Sequence, residues 1–198
     1  MPGATRRDFL GALGVLGLTA CTPVPNVAVP PTVPKMGAEK PELVVQEIGD
    51  YECPFCAEVQ PAVKQLMRSY GSRIALVWRN YPLKRHAFAL GAAEAALEIR
   101  AQLGDEAFWQ YHDVLFRNQH ALAPADLERY AEAFAVDRAR FHRALELGIH
   151  RERVLADKAD IDAMKLPGFG TPAFIIGADL FVGGYSYEEL AGFVERAL

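Results

Sequence analysis

The chain has 198 residues, of which 51% are hydrophobic and 23% are charged, and its formal net charge at pH 7 is -4. This composition is that of an ordinary globular protein, and it excludes a mostly disordered chain, a collagen and a coiled coil. The negative net charge gives no indication of a basic surface that could bind nucleic acid, so no nucleic-acid partner is expected. Three cysteines are too few for a scaffold held together by disulfides.

The N-terminus has the pattern of an export signal. Arg6 and Arg7 precede an apolar run at residues 9–20, which is shorter than the roughly 20 residues that cross a bilayer. The arginine pair resembles a twin-arginine signal, and a general secretory signal with two arginines is the alternative. The run ends at Cys21 in a pattern that resembles a lipobox, with an incidental cysteine beside an ordinary cleavage site as the alternative. We therefore expect removal of residues 1–20 and lipidation of Cys21.

Residues 21–41 are predicted to form a tether between this anchor and a folded domain at residues 42–198. The segment has few large apolar side chains, and its prolines favour extended polyproline conformations. These are Pro23, Pro25, Pro30, Pro31, Pro34 and Pro41.

The next stretch places two cysteines between a strand and a helix. Residues 43–48 form an apolar, β-branched run typical of a buried strand, and Cys53-Pro54-Phe55-Cys56 follows soon after. Pro54 suits the first position of a helix, whose N-terminal N–H groups and dipole stabilise a thiolate. Cys53 is then the expected exposed nucleophile, and the buried Cys56 resolves the mixed disulfide. A zinc half-site or a structural disulfide would share the spacing.

Residues 47–56 resemble the active-site segment of the DsbA-like branch of the thioredoxin superfamily. In that superfamily an acidic residue six positions before the first cysteine lies buried beneath the pair, and the resemblance puts Glu47 in this place. Burial would raise the pKa of Glu47 and let the carboxylate accept the proton of Cys56. A glutamate that faces solvent at the strand end is the alternative.

A helical insert is predicted at about residues 86–166. It follows a second strand at residues 73–79, and its apolar side chains recur at helical spacing over four or five helices. Gly104 and Gly148 are the predicted helix ends, whereas the predicted starts are Asp105, Pro124 and Asp137.

A second resemblance to the same family lies at residues 169–176, which contain Thr171-Pro172. The family's Gly-Thr-Pro segment has a cis proline that packs against the cysteines. The resemblance therefore implies a cis bond before Pro172 and backbone pairing of Thr171 with the substrate. An ordinary trans proline is the alternative.

The chain ends with a predicted hairpin and a helix that opens with a capping box at Ser186–Glu189. The elements together predict an α/β protein: a thioredoxin fold with a helical insertion, as in the DsbA-like branch.

The resemblance implies a thiol:disulfide oxidoreductase that needs no cofactor and acts on exported, cysteine-containing proteins. Family and location favour a dithiol oxidase, and an envelope reductase or isomerase with the same site is the alternative. The strongly oxidising relatives have Pro-His between the cysteines; Phe55 brings no charge, which favours a milder oxidant. We expect a lipid-anchored protein of the bacterial cell envelope that faces the periplasm or the extracytoplasmic side and is recycled by a membrane redox partner.

Two hypotheses of other classes stay open. One is a metallochaperone that binds copper or zinc through Cys53, Cys56 and a histidine, and the other is a lipid-anchored binding module without catalysis. No metal site is predicted, because the histidines have no ligand spacing with the cysteine pair; they are His86, His112, His120, His142 and His150. The segment Tyr81–His86 is interpreted as a structural connection.

Overall fold

The computed structural model describes residues 22–23 and 29–198. The predicted signal at residues 1–20 and the lipidation of Cys21 lie outside the described residues. The described strands are β1 (Thr22–Pro23), β2 (Lys35–Gly37), β3 (Leu43–Gly49), β4 (Ile74–Asn80), β5 (Ala173–Ile176) and β6 (Asp179–Val182). The described helices are α1 (Pro54–Tyr70), α2 (Ala89–Arg117), α3 (Pro124–Ala131), α4 (Arg138–Leu147), α5 (Arg151–Ala163) and α6 (Tyr187–Ala197).

The strands form one mixed sheet with β3 at its centre. The order is β1-β6-β5-β3-β4-β2; β3 and β4 are parallel and the other neighbours are antiparallel. A parallel pair needs a crossover connection, and α1 supplies it. Apolar side chains of α1 and α6 pack on one face of the sheet with Val45 and Phe174, whereas Ile161 of α5 packs on the other face with Ile48 and Ile175. The central strand is therefore covered on both faces.

The folded domain begins before residue 42. Lys35–Gly37 pairs antiparallel with β4, and the Pro34 carbonyl accepts a hydrogen bond from the Trp78 N–H at 3.1 Å. Val33 is buried, and the Arg100 guanidinium donates to the carbonyl oxygens of Thr32 and Val33. The prediction of a tether is wrong for residues 33–37. The edge of β4 would otherwise be unpaired, and its backbone groups pair with the extended chain at Lys35–Gly37. Proline content indicates an extended segment, but it does not reveal where that segment pairs.

The insert consists of α2 to α5. Gly104 has a φ of +86° and divides α2 into two helical segments, as its predicted role at a helix end requires. Pro124 begins α3, Asp137 caps α4 by accepting from the Arg140 N–H, and Gly148 ends α4 with a φ of +62°. These predictions are confirmed.

A buried ion pair joins the insert to the sheet. Arg79 of β4 and Asp157 of α5 are each 1% exposed, and Arg79 Nε lies 3.1 Å from Asp157 Oδ1. Arg79 also donates to Gln46 Oε1 at 3.1 Å. A buried charge of this kind is stable only when it is paired, so each side chain depends on the other.

The C-terminal elements agree with the predicted order. β5 and β6 form a hairpin whose turn contains Gly177 with a φ of +63°. Ser186 and Glu189 form the predicted reciprocal capping box at the start of α6. The architecture is an α/β thioredoxin fold with a helical insertion, which confirms the expected fold class. No helix within the described part of the chain is long and apolar enough to cross a membrane.

Candidate active site

The two cysteines lie at the start of α1. Cys53 is the N-cap residue with extended backbone angles, Pro54 occupies the first turn, and both cysteines are thiols. Cys53 is 1% exposed and Cys56 is 0% exposed. The expectation of an exposed Cys53 is therefore wrong. The reason is that Cys53 packs into a cluster formed with the insert, and the Thr171 carbonyl lies 3.3 Å from its Sγ. The side chain that reaches solvent here is Phe55, at 59% exposure.

The environments of the two thiols drive their pKa values apart. A hydrogen bond from the Cys56 side chain lowers the pKa of Cys53 to about 5, against the opposing effect of burial, with smaller contributions from Thr171 and two backbone groups. Burial raises the pKa of Cys56 far above its ordinary value, and the neighbouring Cys53 adds to this effect. At neutral pH the pair therefore carries a thiolate at Cys53 and a neutral thiol at Cys56. This low pKa needs no charged side chain between the cysteines.

Glu47 lies in the middle of β3, between Trp78 of β4 and Phe174 of β5. It is 0% exposed, so it does not face solvent. Burial raises the pKa of its carboxyl group to about 8, and a hydrogen bond from Gln60 opposes this rise. Cys56 lies close by, since burial and, to a smaller extent, the charge of Glu47 raise the pKa of the Cys56 thiol. A buried acid with this pKa can take or give a proton near neutral pH.

The Thr171–Pro172 bond is cis. Pro172 is buried, and its carbonyl accepts a hydrogen bond from the Gly183 N–H at 2.9 Å. The structure thus brings Cys53, Cys56 and the Thr171–Pro172 segment together at one end of the central strands, although 118 residues separate Cys53 from Thr171.

Sequence reasoning missed the acidic groups that hold the loop before Cys53. Asp50 Oδ1 accepts from the Glu52 N–H at 2.7 Å, while its Oδ2 accepts from the Leu83 N–H at 2.7 Å and lies 2.8 Å from His86 Nδ1. The segment interpreted as a structural connection therefore binds the active-site loop. An aspartate in a turn is a common sequence signal, but two of its three partners, Leu83 and His86, lie more than 30 residues away.

The same loop is fastened to the insert. Glu52 Oε2 accepts hydrogen bonds from the N–H groups of Phe88 and Ala89 at 2.6 and 2.7 Å, at the start of α2. Phe88, the N-cap residue of α2, provides no side-chain cap of its own, so Glu52 supplies the negative charge that a helix N-terminus favours. Gln119 Nε2 donates to the carbonyls of Tyr51 and Cys53 at 2.8 Å each. The insert therefore positions the nucleophile.

A chain of buried polar side chains leads away from Glu47. Gln60 Nε2 donates to Glu47 Oε1 at 2.7 Å and to the Cys56 carbonyl at 3.1 Å. Gln60 Oε1 lies 3.4 Å from His112 Nε2, and His112 Nδ1 lies 2.9 Å from the Tyr51 hydroxyl. The sequence gives no sign of a role for Tyr51, Gln60 or His112. His112 lies 52 residues from Gln60 and 61 residues from Tyr51 along the chain, so no local pattern joins them.

Across residues 22–23 and 29–198, no group of three or more His, Cys, Asp or Glu side chains is placed to hold a metal ion.

The family model described as "Thioredoxin" matches residues 30–196. The chain belongs to the thioredoxin family. Among curated proteins, this thioredoxin-family chain is similar to "Na(+)/H(+) antiporter NhaA 3" of Salinispora tropica, with 40% identity over 164 residues. The match covers 81% of the chain but 24% of that protein, so the chain spans about a quarter of the length of this relative.

Two solved structures share the fold of this thioredoxin-family chain. BdbD from Bacillus subtilis, in its oxidised form, has a TM-score of 0.74 and 20% identity, with 83% of this chain and 92% of that chain covered. The thiol-disulfide exchange protein alpha-DsbA2 from Wolbachia pipientis has a TM-score of 0.73 and 22% identity, with coverages of 83% and 87%. The second of these confirms the DsbA-like architecture that the sequence indicates.

Proposed function

We propose that this protein catalyses thiol–disulfide exchange on exported, cysteine-containing proteins and acts as a dithiol oxidase. The observation that carries the proposal is the contrast between Cys53, whose pKa is lowered to about 5, and Cys56, whose pKa is raised. A thiolate is both the nucleophile and the good leaving group of disulfide exchange. Membership of the thioredoxin family and the DsbA-like fold support the same chemistry.

In the oxidising direction, a substrate thiolate attacks Cys53 Sγ of the Cys53–Cys56 disulfide. The sulfur–sulfur bond breaks, the substrate becomes joined to Cys53, and Cys56 leaves and takes a proton from Glu47. A second substrate thiolate then attacks the substrate sulfur of the mixed disulfide and releases Cys53 as a thiolate. The substrate loses two electrons and gains a disulfide, while the cysteine pair gains the two electrons.

The low pKa of Cys53 supports the oxidase direction. A stabilised thiolate lowers the free energy of the reduced pair, and a pair with a stable reduced form is an oxidant. Phe55, whose lack of charge favours a milder oxidant, takes no part in this stabilisation through its side chain. We further propose that Thr171 pairs its backbone with the substrate chain beside Cys53, and that Pro54 and Phe55 shape the surface of the site.

The deciding experiment is the equilibrium reduction potential of residues 29–198, titrated against glutathione. A value near the oxidising end of the range, about -120 mV, supports the oxidase. A value near that of thioredoxin, about -270 mV, supports the envelope reductase with the same site. Failure to form a Cys53–Cys56 disulfide would overturn both and favour the metallochaperone.

A trapping experiment tests the roles of the cysteines. Cys56→Ser should accumulate mixed disulfides with exported proteins through Cys53, because the resolving thiol is absent. Cys53→Ser is the matched control and should trap nothing. A binding module without catalysis would keep its function in both variants.

We also propose a location in the bacterial cell envelope, with a lipid anchor at Cys21 and a membrane protein that recycles the pair. The export pattern at residues 1–20 supports this location, as does the likeness to a segment of a protein named as an antiporter. Membrane fractionation of the full chain tests the anchor: Cys21→Ser should move the protein from the membrane to the soluble fraction. A variant that stays in the membrane fraction would contradict lipidation at Cys21.

A further inference from the structure

The hydrogen bonds of the polar chain that leads away from Glu47 have a defined donor-to-acceptor direction, which the contact between Gln60 and the Cys56 carbonyl fixes. The Cys56 carbonyl can only accept a hydrogen bond, so the Gln60 group 3.1 Å from it must be the amide nitrogen. The same nitrogen therefore faces Glu47, and Gln60 Oε1 faces His112. The orientation of the amide follows from this geometry.

The rest of the chain follows from the chemistry of its members. Gln60 Oε1 can only accept, so His112 Nε2 must carry a proton. Burial lowers the pKa of His112 to about 3, and nearby Lys64 adds to this effect, so the ring is neutral and its Nδ1 is an acceptor. The Tyr51 hydroxyl, 2.9 Å away, then donates to Nδ1. Every hydrogen bond from Tyr51 through His112 and Gln60 thus points toward Glu47.

This arrangement makes the two oxygens of Glu47 different. Oε1 accepts from Gln60 at 2.7 Å. Oε2 is buried and has no hydrogen-bond partner among the residues that the structure describes. A buried oxygen without a partner is costly, and it is the oxygen that is free to bind a proton.

We propose that Tyr51, His112 and Gln60 are positioning residues for proton transfer: their hydrogen bonds occupy Oε1 of Glu47 and leave Oε2 to exchange the proton with Cys56. The proposal rests on the proposed function and adds to it. When Cys56 resolves a mixed disulfide, its proton passes to Oε2 and its sulfur attacks Cys53 Sγ. The bond between Cys53 and the substrate sulfur breaks, and the substrate leaves as a thiolate that takes a proton from solvent.

Other charged and titratable groups face this chain, and the experiment must allow for them. Cys56 and Tyr51 face Glu47 directly. A cavity of about 650 Å³ lies beside Gln60 and His112. Its charged lining comes from β2, α1 and α2 and consists of Lys35, Lys64, Arg68, Glu106 and Asp113. Lys64 and Asp113 form an ion pair at 2.8 Å, so their charges offset one another near His112.

The test separates the two steps of exchange. Reduced protein is mixed with excess oxidised glutathione at a series of pH values, quenched with acid and analysed by mass. The mixed disulfide reports the attack by Cys53, and the Cys53–Cys56 disulfide reports the step that needs proton transfer from Cys56. In the wild type the rate of the second step should rise with pH, and the midpoint of this rise should reflect the pKa of the Glu47 carboxyl group. Glu47→Gln should abolish that midpoint.

Gln60→Leu should move the midpoint of the second step upward by about one pH unit, because the carboxylate loses its donor. The rate of that step at pH 7 should fall about tenfold, while the first step is unchanged. His112→Phe should give a smaller shift in the same direction, because the Gln60 amide loses the donor that polarises it and so donates more weakly to the carboxylate. Gln110→Leu is the matched control in the same cavity and should not move the midpoint.

A purely structural role for the chain would lower stability and leave the midpoint in place. If the midpoint is unchanged in Gln60→Leu, the inference is overturned and the proposed function is not affected. If Gln60→Leu does not fold, an unchanged midpoint in His112→Phe overturns the inference in the same way. Absence of any Cys53–Cys56 disulfide in the wild type would overturn the proposed function as well.

Discussion

The buried carboxyl group of Glu47 should make the stability of the protein depend on pH, and Glu47→Gln should remove this dependence. The ordinary pKa of a glutamate is 4.5, and burial raises it to about 8 in the folded protein. The folded state therefore holds a proton that the unfolded chain releases at lower pH. The stabilisation is complete below pH 4.5 and is lost as the pH rises through 8.

The size of the effect follows from the shift in pKa. Each pH unit between the two pKa values costs about 1.4 kcal/mol, so the free energy of unfolding should fall by about 5 kcal/mol over the whole interval. Domains are stable by about 5–15 kcal/mol, so this is a large share. Glutamine keeps the size and the acceptor for Gln60 and cannot ionise. The variant should therefore gain stability relative to the wild type as the pH rises.

Denaturant unfolding of the reduced wild type and of Glu47→Gln from pH 5 to pH 9 checks this prediction. The difference between their free energies of unfolding should grow up to about pH 8 and then level off. Contributions from Cys53 cancel in this difference, because both proteins contain it. Glu58→Gln, which removes an exposed carboxylate from α1, controls for net charge. A difference that stays flat across the range would refute the reasoning.

Three further predictions concern other parts of the molecule. Alkylation of Cys53 by iodoacetamide should reach half its maximal rate near pH 5, and Cys56→Ala should move this midpoint upward, because the Cys56 thiol is the main cause of the low pKa; an unmoved midpoint would contradict that cause. Asp157→Ala should lower the free energy of unfolding by about 3–5 kcal/mol, measured with denaturant, because it leaves the charge of Arg79 buried and unpaired. Ser186→Ala should lower the free energy of unfolding by about 1 kcal/mol in the same measurement, since it removes the cap of α6. If Asp157→Ala and Ser186→Ala lost the same stability, the argument from the buried charge of Arg79 would be contradicted.

Local signals predicted much of the fold and the centre of the site. The apolar run around Glu47, the cysteine spacing and the proline at Pro54 all act within a few residues, so their pattern is visible in the sequence. The same holds for the cap of α6 at Ser186. The cis bond at Pro172 followed from a family resemblance rather than from local pattern.

The features that sequence reasoning missed depend on contacts between distant residues. Cys53 is buried because the insert packs over it, and no local pattern records that packing. β2 forms because β4 has a free edge, which is a property of the assembled sheet. His112 has the sequence context of an ordinary core residue, and its role depends on Tyr51 and Gln60, which lie 61 and 52 residues away.

Because Glu52 caps α2, the stability of the first turn of that helix is coupled to the stability of the loop that carries Cys53. Glu52 is adjacent to the nucleophile, yet the N–H groups that it holds belong to the insert. Oxidation or reduction that displaces this carboxylate must weaken the first turn of α2, and fraying of that turn must disturb Cys53 by the same free energy. We expect the amide hydrogens of Phe88 and Ala89 to report any such displacement, and hydrogen exchange would detect it without a label at either cysteine.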